Sequence, residues 1–172
     1  NLDANKSMLA AGKLSVENGA HIVTQQFLDS FLILSGSGIT FGLVVAMLFA
    51  AKSKQYKALG KVAAFPAIFN VNEPVVFGFP IVMNPVMFLP FILVPILAAI
   101  IVYASIAIGF MHPFSGVTLP WSTPAIISGF MVGGWQGAFV QVLVLATSTV
   151  VYFPFFKFQD NLAYNNELQA EK

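Results

Sequence analysis

The chain has 172 residues, of which 58% are hydrophobic and 9% charged, against roughly 25% charged in a soluble domain. Between residues 62 and 156 the only formally charged side chain is Glu73, so lipid rather than water is the solvent for most of the chain. The net charge is +1 and every cation is a Lys, which gives nucleic acid no basic patch to grip, and the absence of Cys removes disulfide, thiolate and cysteine–metal chemistry.

The first 26 residues are polar and mixed and read as an exposed or amphipathic lead-in. They contain Asn5-Lys6-Ser7, a formal glycosylation sequon to which no function is attached, and the start at Asn1, without a leader pattern, reads as a cut from a longer protein. The apolar stretch 27–51 is long enough to cross a bilayer, but Ser-Gly-Ser-Gly at 35–38 interrupts it. Glycine weakens a helix and frees backbone groups, and in lipid such a break survives only inside protein or facing water. Gly36 and Gly38 count as candidate binding positions, the alternative being an unbroken helix whose small residues allow close packing. Asp29 reads as an interfacial acid, and "GSGITFG" has neither the spacing nor the βαβ context of a dinucleotide loop.

Lys52, Lys54, Lys57 and Lys61 form a short Lys-rich loop, read as cytoplasmic. Pro66, Pro74, Pro80, Pro85, Pro90 and Pro95 follow, spaced so that short helices, extended pieces or a re-entrant hairpin are expected before a full span enters at Pro90 and ends at His112-Pro113. The segment 112–124 is turn-rich and carries Trp121. The apolar run 125–156 is too long for one straight span, so a half-helix, a break in "GFMVGGWQG" and a span over about 138–153 are expected. A polar tail frays from Lys157 onward. Counting spans brings this tail back to the side of the Lys loop. The predicted organisation is a lead-in over 1–26, a substrate-binding membrane domain over 27–157 and a cytoplasmic tail over 158–172. The predicted fold class is an all-α integral membrane protein with broken helices and re-entrant hairpins.

Glu73 is the leading functional candidate, because an ionisable group in an apolar segment costs several kcal/mol unless it faces a cavity or a partner; the alternative is an interfacial acid that snorkels to water at the end of the Lys-rich loop. Asn70 and Asn72 bring donors and acceptors to it, and Pro74 keeps the local backbone from closing as a helix. Trp121, bounded by Pro120 and Pro124, offers a flat face, though an interfacial anchor is the commoner role for Trp. His21 and His112 lack neighbours at metal-ligand spacing, and neither a metal nor a cofactor is expected.

The stretch "FNVNEPVVFGFPIVMNPVMFLPF", with "GSGIT" before it and "LPWSTP" after it, resembles the membrane subunit, enzyme IIC, of sugar phosphotransferase systems of the lactose, cellobiose and diacetylchitobiose family. The resemblance runs from about Ile22 to Phe156 and implies a multi-pass protein of the bacterial inner membrane. Such a protein takes up a disaccharide that is phosphorylated at its 6-hydroxyl by a phosphocysteine of a IIB partner. It also implies that Glu73 holds the 6-hydroxyl, that Asn72 precedes it in the signature, and that Trp121 lies against the sugar. His21, followed by Ile22, does not match the family's active-site His. The resemblance further implies a homodimer formed through an amino-terminal half outside this chain, and a carboxy-terminal half that is inactive alone. An ion-coupled transporter with Glu73 as proton relay is the alternative, and a structural membrane subunit is a third.

Overall fold

The computed structural model describes residues 2–79, 81–114, 116 and 119–170, with the backbone alone at positions 2 and 82. Pro80, part of the turn-rich segment (115, 117 and 118) and the last two residues of the predicted tail lie outside the described residues. Every regular element among the described residues is helical. In chain order these are α1 (Leu2–Ala10), a single 3-10 turn (Val16–Asn18), a short α2 (Gln25–Phe27) that widens into a π-helical turn (Leu28–Leu32), α3 (Phe41–Ala50), α4 (Lys54–Ile68), α5 (Glu73–Gly78), a second 3-10 turn (Ile81–Met83), α6 (Pro85–Ala107) and α7 (Ile127–Ala170).

Helices α6 and α7 are each long and apolar enough to cross a membrane. The 23 residues of α6 span about 35 Å, enough for a hydrocarbon core. Its buried face is the stripe Met87, Pro90, Val94, Ala98, Val102 and Ile106, at helical spacing. The opposite face is also apolar, with Ile92, Ile96, Ile100 and Tyr103 exposed, which suits a helix whose outer side meets lipid. Around it, α3 packs on α4 and α7, and α6 packs on α7, over a core that includes Phe31, Leu43, Met47, Val144, Tyr152 and Phe156.

Three expectations are corrected. The long helix starts at Pro85 rather than Pro90, because Asn84 caps it by accepting from the Val86 and Met87 amides (3.0 and 3.4 Å), and Pro85 fits the first turn, where no N–H is needed. Pro90 and Pro95 then lie inside the helix, as transmembrane helices tolerate. The lysines at 54, 57 and 61 stand on the first half of α4, not in a loop.

The tail, in turn, does not fray: α7 stays helical to Ala170 because its polar end secures the α3–α4 connection. Lys157 Nζ donates to the Ala50 carbonyl at the end of α3 (3.1 Å). Asp160, fully buried, accepts from the Lys52 amide (2.8 Å), the Ser53 amide (3.1 Å) and the Ser53 hydroxyl (2.9 Å). Glu167 accepts from the Lys54 and Gln55 amides (2.9 and 3.0 Å) at the start of α4, and these hold its carboxyl below the usual carboxylate range. A cation at one helix C-terminus and two carboxylates at the next N-terminus match both helix dipoles. The Lys-rich segment and the tail thus share one end of the bundle, as the count of spans predicts.

The lead-in is also tied down. Asn5, buried, donates to the carbonyls of His21 (2.8 Å) and Phe114 (2.9 Å) and accepts from the His21 amide (2.8 Å).

Candidate functional site

Two helix breaks fall where the glycines put them. In the first, Ser35, Gly36, Gly38 and Ile39 all have positive φ (55°, 82°, 77° and 50°), so the chain cannot continue as a right-handed helix. The carbonyls this frees are taken up one by one: Ser35 by the Thr40 hydroxyl (3.1 Å), Gly38 by the Tyr152 hydroxyl (2.8 Å) and Ile39 by the Ser148 hydroxyl (2.5 Å). The Ser37 carbonyl accepts from the Asn72 amide group (2.7 Å). The break is therefore sealed by side chains, two of the four from α7, which is how irregular backbone persists at membrane depth.

In the second break, Gly133 (φ −129°, ψ 15°) and Gly134 (φ 65°, ψ −158°) divide α7 into a half-helix, 127–132, and a long helix, 135–170. The half-helix folds back so closely that a Cβ on Gly129 or Gly137 would overlap the other strand of the hairpin. Gln141, fully buried, fastens the fold. Its Oε1 accepts from the Ile126 and Gly129 amides (2.5 and 3.0 Å), while its Nε2 donates to the Ser30 carbonyl (2.6 Å) and the Ser128 hydroxyl (2.8 Å).

Asn70 joins the first break to the Trp121 turn. It follows α4 with φ 63°, a conformation Asn tolerates better than most residues. Its Oδ1 accepts from the buried Ser35 amide (2.6 Å), and its Nδ2 donates to the carbonyls of Trp121 (2.7 Å) and Thr123 (3.0 Å). Both amide hydrogens are thus committed to backbone. Asn72 is differently placed. It gives one hydrogen to Ser37, and its Oδ1 and second amide hydrogen make no hydrogen bond among the described residues. Gly36 makes room for it, since a Cβ there would overlap the Asn72 side chain, just as one at Gly38 would overlap the Phe91 ring.

Glu73 opens α5 directly after Asn72, exposed and without a hydrogen bond or ion pair among the described residues. The Trp121 indole is 68% exposed, its backbone pinned by Asn70. The structure therefore brings Gly36, Gly38, Asn70 and Asn72 together and ties the Trp121 turn to them, while Glu73 presents its carboxylate at the surface beside Asn72. A cleft of about 10 Å³ lies between Asp29, Ser30, Asn70, Pro120, Trp121 and Thr123, room for about one water and far less than a sugar, so in this chain the site is an open face. A larger cavity of about 460 Å³ opens between α1 and the Gly133–Gly134 break, beside His112, and contains none of the predicted site residues. Among the described residues no His, Cys, Asp or Glu group could hold a metal ion.

Asp29, expected to be an interfacial acid, is exposed and also borders the cleft with Trp121, its carboxylate held by Gln25 (2.9 Å to each oxygen). One residue has no place in the reading from sequence. Gln141 carried a usable signal, an amide in the middle of an apolar span, where polar groups need a reason.

The family model described as "Phosphotransferase system, EIIC" matches residues 1–95. The "Lichenan permease IIC component" of Bacillus subtilis is 43% identical over 99% of this chain and 37% of its own length. The "PTS system lactose-specific EIICB component" of Staphylococcus aureus is 36% identical over 97% of this chain and 29% of its own. The crystal structure of "the transporter ChbC, the IIC component from the N,N'-diacetylchitobiose-specific phosphotransferase system" superposes with a TM-score of 0.89 and 38% identity, covering 96% of this chain and 38% of that one. The chain thus spans well under half the length of each of these proteins.

Proposed function

The chain belongs to the phosphotransferase-system EIIC family, and on that premise we propose that it forms the sugar-binding part of a membrane subunit that takes up a β-linked disaccharide of the cellobiose, chitobiose or lactose type. In this reading the disaccharide lies between the Trp121 indole and the Asn72–Glu73 edge. The observation that carries it is the joining of the first helix break to the Trp121 turn through Asn70, next to the unpaired polar atoms of the buried Asn72 and the exposed carboxylate of Glu73.

Each group then has a role that its chemistry supports. The uncommitted donor and acceptor of Asn72 pair with sugar hydroxyls. The Trp121 indole supplies a flat apolar surface that loses little entropy on stacking. Glu73 accepts a hydrogen bond from the 6-hydroxyl and orients it toward the phosphorus of a phosphocysteine on a IIB partner. The hydroxyl oxygen bonds to phosphorus, its proton passes to the Glu73 carboxylate, and the cysteine thiolate leaves. Positioning supplies most of the rate, because phosphoryl transfer asks little covalent chemistry of the acceptor side. Asn70, with both amide hydrogens spent on backbone, acts as a positioning residue. The proposal extends to a multi-pass protein of the bacterial inner membrane, to a homodimer formed outside this chain, and to this chain alone being unable to transport.

The test is Glu73→Gln in the complete protein with its IIB partner and labelled disaccharide. Sugar phosphorylation is expected to fall below detection while membrane insertion is retained and affinity changes by only a few-fold. Normal phosphorylation with Gln at position 73 refutes the assignment. Trp121→Ala should instead weaken binding by roughly five- to tenfold, the scale of a well-placed aromatic contact.

A further inference from the structure

Helix α4 carries an exposed ridge that the sugar site does not use. Lys57, Lys61, Phe65 and Phe69 follow one another at four-residue spacing, so they stand in one row, the last just past the helix end. The opposite face, Tyr56, Gly60, Ala63 and Ala67, is buried, and a Cβ on Gly60 would press on Met47 of α3. The row itself is open: both lysines are exposed, Phe65 is 71% and Phe69 37% exposed, and the two rings lie 5.3 Å apart. Neither Lys57 nor Lys61 has an ion-pair partner among the described residues. The nearby carboxylates of Asp160 and Glu167 are turned to the backbone amides of 52–55.

From this order of charge and apolar surface we propose that the α4 ridge is a binding site for one anionic phospholipid, its phosphate held by Lys57 and Lys61 and an acyl chain laid along Phe65 and Phe69. The dimensions agree. Lys57 to Phe69 is twelve residues, about 18 Å along a helix, which takes a side-chain row from headgroup level into the acyl region. Cations at the interface followed by aromatic rings deeper in is the pattern of a helix that enters a bilayer from a negatively charged leaflet. An acidic soluble protein would complement the lysines but would leave the two phenyl rings, on the same row, without an apolar counterpart. Because Asn70 follows two residues after the end of α4 at Ile68, a lipid on this ridge would steady the helix that delivers Asn70, Asn72 and Glu73.

The experiment uses the complete protein in detergent, supplied with equal phosphatidylglycerol and phosphatidylcholine, and reads retained lipid by native mass spectrometry. The unaltered protein is expected to retain phosphatidylglycerol in preference to phosphatidylcholine. Each Lys near an anionic surface contributes roughly fivefold, so Lys57→Gln with Lys61→Gln should lower phosphatidylglycerol retention by about 25-fold and leave phosphatidylcholine unchanged. Phe65→Ser with Phe69→Ser should weaken both lipids, and glycerol phosphate should not displace the bound lipid. Equal retention of the two lipids by the unaltered protein, which needs no variant to fold, overturns the proposal, as does unchanged retention in the Lys variant. Displacement by glycerol phosphate overturns it in favour of a site for small phosphate esters. Loss of phosphoryl transfer from the IIB protein with phosphatidylglycerol retention intact overturns it in favour of a protein-docking surface.

Discussion

Replacing Asn70 tests the central geometric claim, that one side chain holds the helix break and the Trp121 turn in register. Asn70→Gly removes its hydrogen bonds to the Ser35 amide, the Trp121 carbonyl and the Thr123 carbonyl. The Ser35 amide is buried, and stranding it costs about 1–3 kcal/mol. The two carbonyls are partly buried and reachable by water, so each loses only about 0.5–1.5 kcal/mol, for about 2–6 kcal/mol in all. Asn70→Ala adds a backbone effect. Ala at φ 63° is strained by about 1–2 kcal/mol, while Gly costs about 0.4–1 kcal/mol through the unfolded chain, so Ala should be the worse by about 0.5–1 kcal/mol. Unfolding of the complete protein by SDS titration, with sugar affinity measured in parallel, gives both differences. The expected order is wild type, then Gly, then Ala, with affinity falling in the same order as the Trp121 turn loosens. A Gly variant within about 0.5 kcal/mol of wild type would refute the hub, and a Gly variant less stable than Ala would refute the backbone argument.

Three further outcomes are expected. Gly36→Ala forces a Cβ into the Asn72 side chain at φ 82°, and should cost about 1–2 kcal/mol of stability while lowering sugar affinity about tenfold, measured by calorimetry; unchanged affinity would detach Asn72 from the site. Asp160→Ala strands the amides of Lys52 and Ser53 and the Ser53 hydroxyl, for about 3 kcal/mol or more, and should open the end of α7 to proteolysis beyond Lys157, which a cleavage time course would show. Glu167 has a folded pKa lowered from 4.5 by the Lys54 and Gln55 amides. Its contribution is therefore complete above the unfolded value and disappears as pH falls through the folded one. Amide exchange at Lys54 should quicken below about pH 4.5 in the wild type and be insensitive to pH in Glu167→Gln, once corrected for intrinsic exchange; equal acid sensitivity in both would contradict the assignment.

Local stiffness and solvent preference are written residue by residue, and these parts of the protein were legible without coordinates. The scarcity of charge fixed lipid as the solvent, and Ser35–Gly38 and Gly133–Gly134 broke helices where glycine makes a break cheap. The Asn-Glu-Pro signature and Trp121 named the residues on which the proposed site rests. Proline was a less faithful guide, because Pro90 and Pro95 sit inside α6, in surroundings where packing outweighs two missing hydrogen bonds. The polar tail read as fraying because its partners, the amides of residues 52–55, lie more than a hundred positions away in the chain.

Tertiary structure alone decided that the first break meets the Trp121 turn. Ser35, Asn70 and Trp121 are separated by 35 and 51 residues, and nothing local tells Asn70 to bind backbone and Asn72 to keep polar atoms free. That division follows from where the chain runs after α4 leaves its packing on α3, which brings the Asn70 side chain to three backbone groups needing partners and leaves Asn72 only one. A buried hydrogen-bond donor takes whichever acceptor the fold delivers, and the identity of that acceptor is a property of the assembled helices, not of the segment that carries the donor.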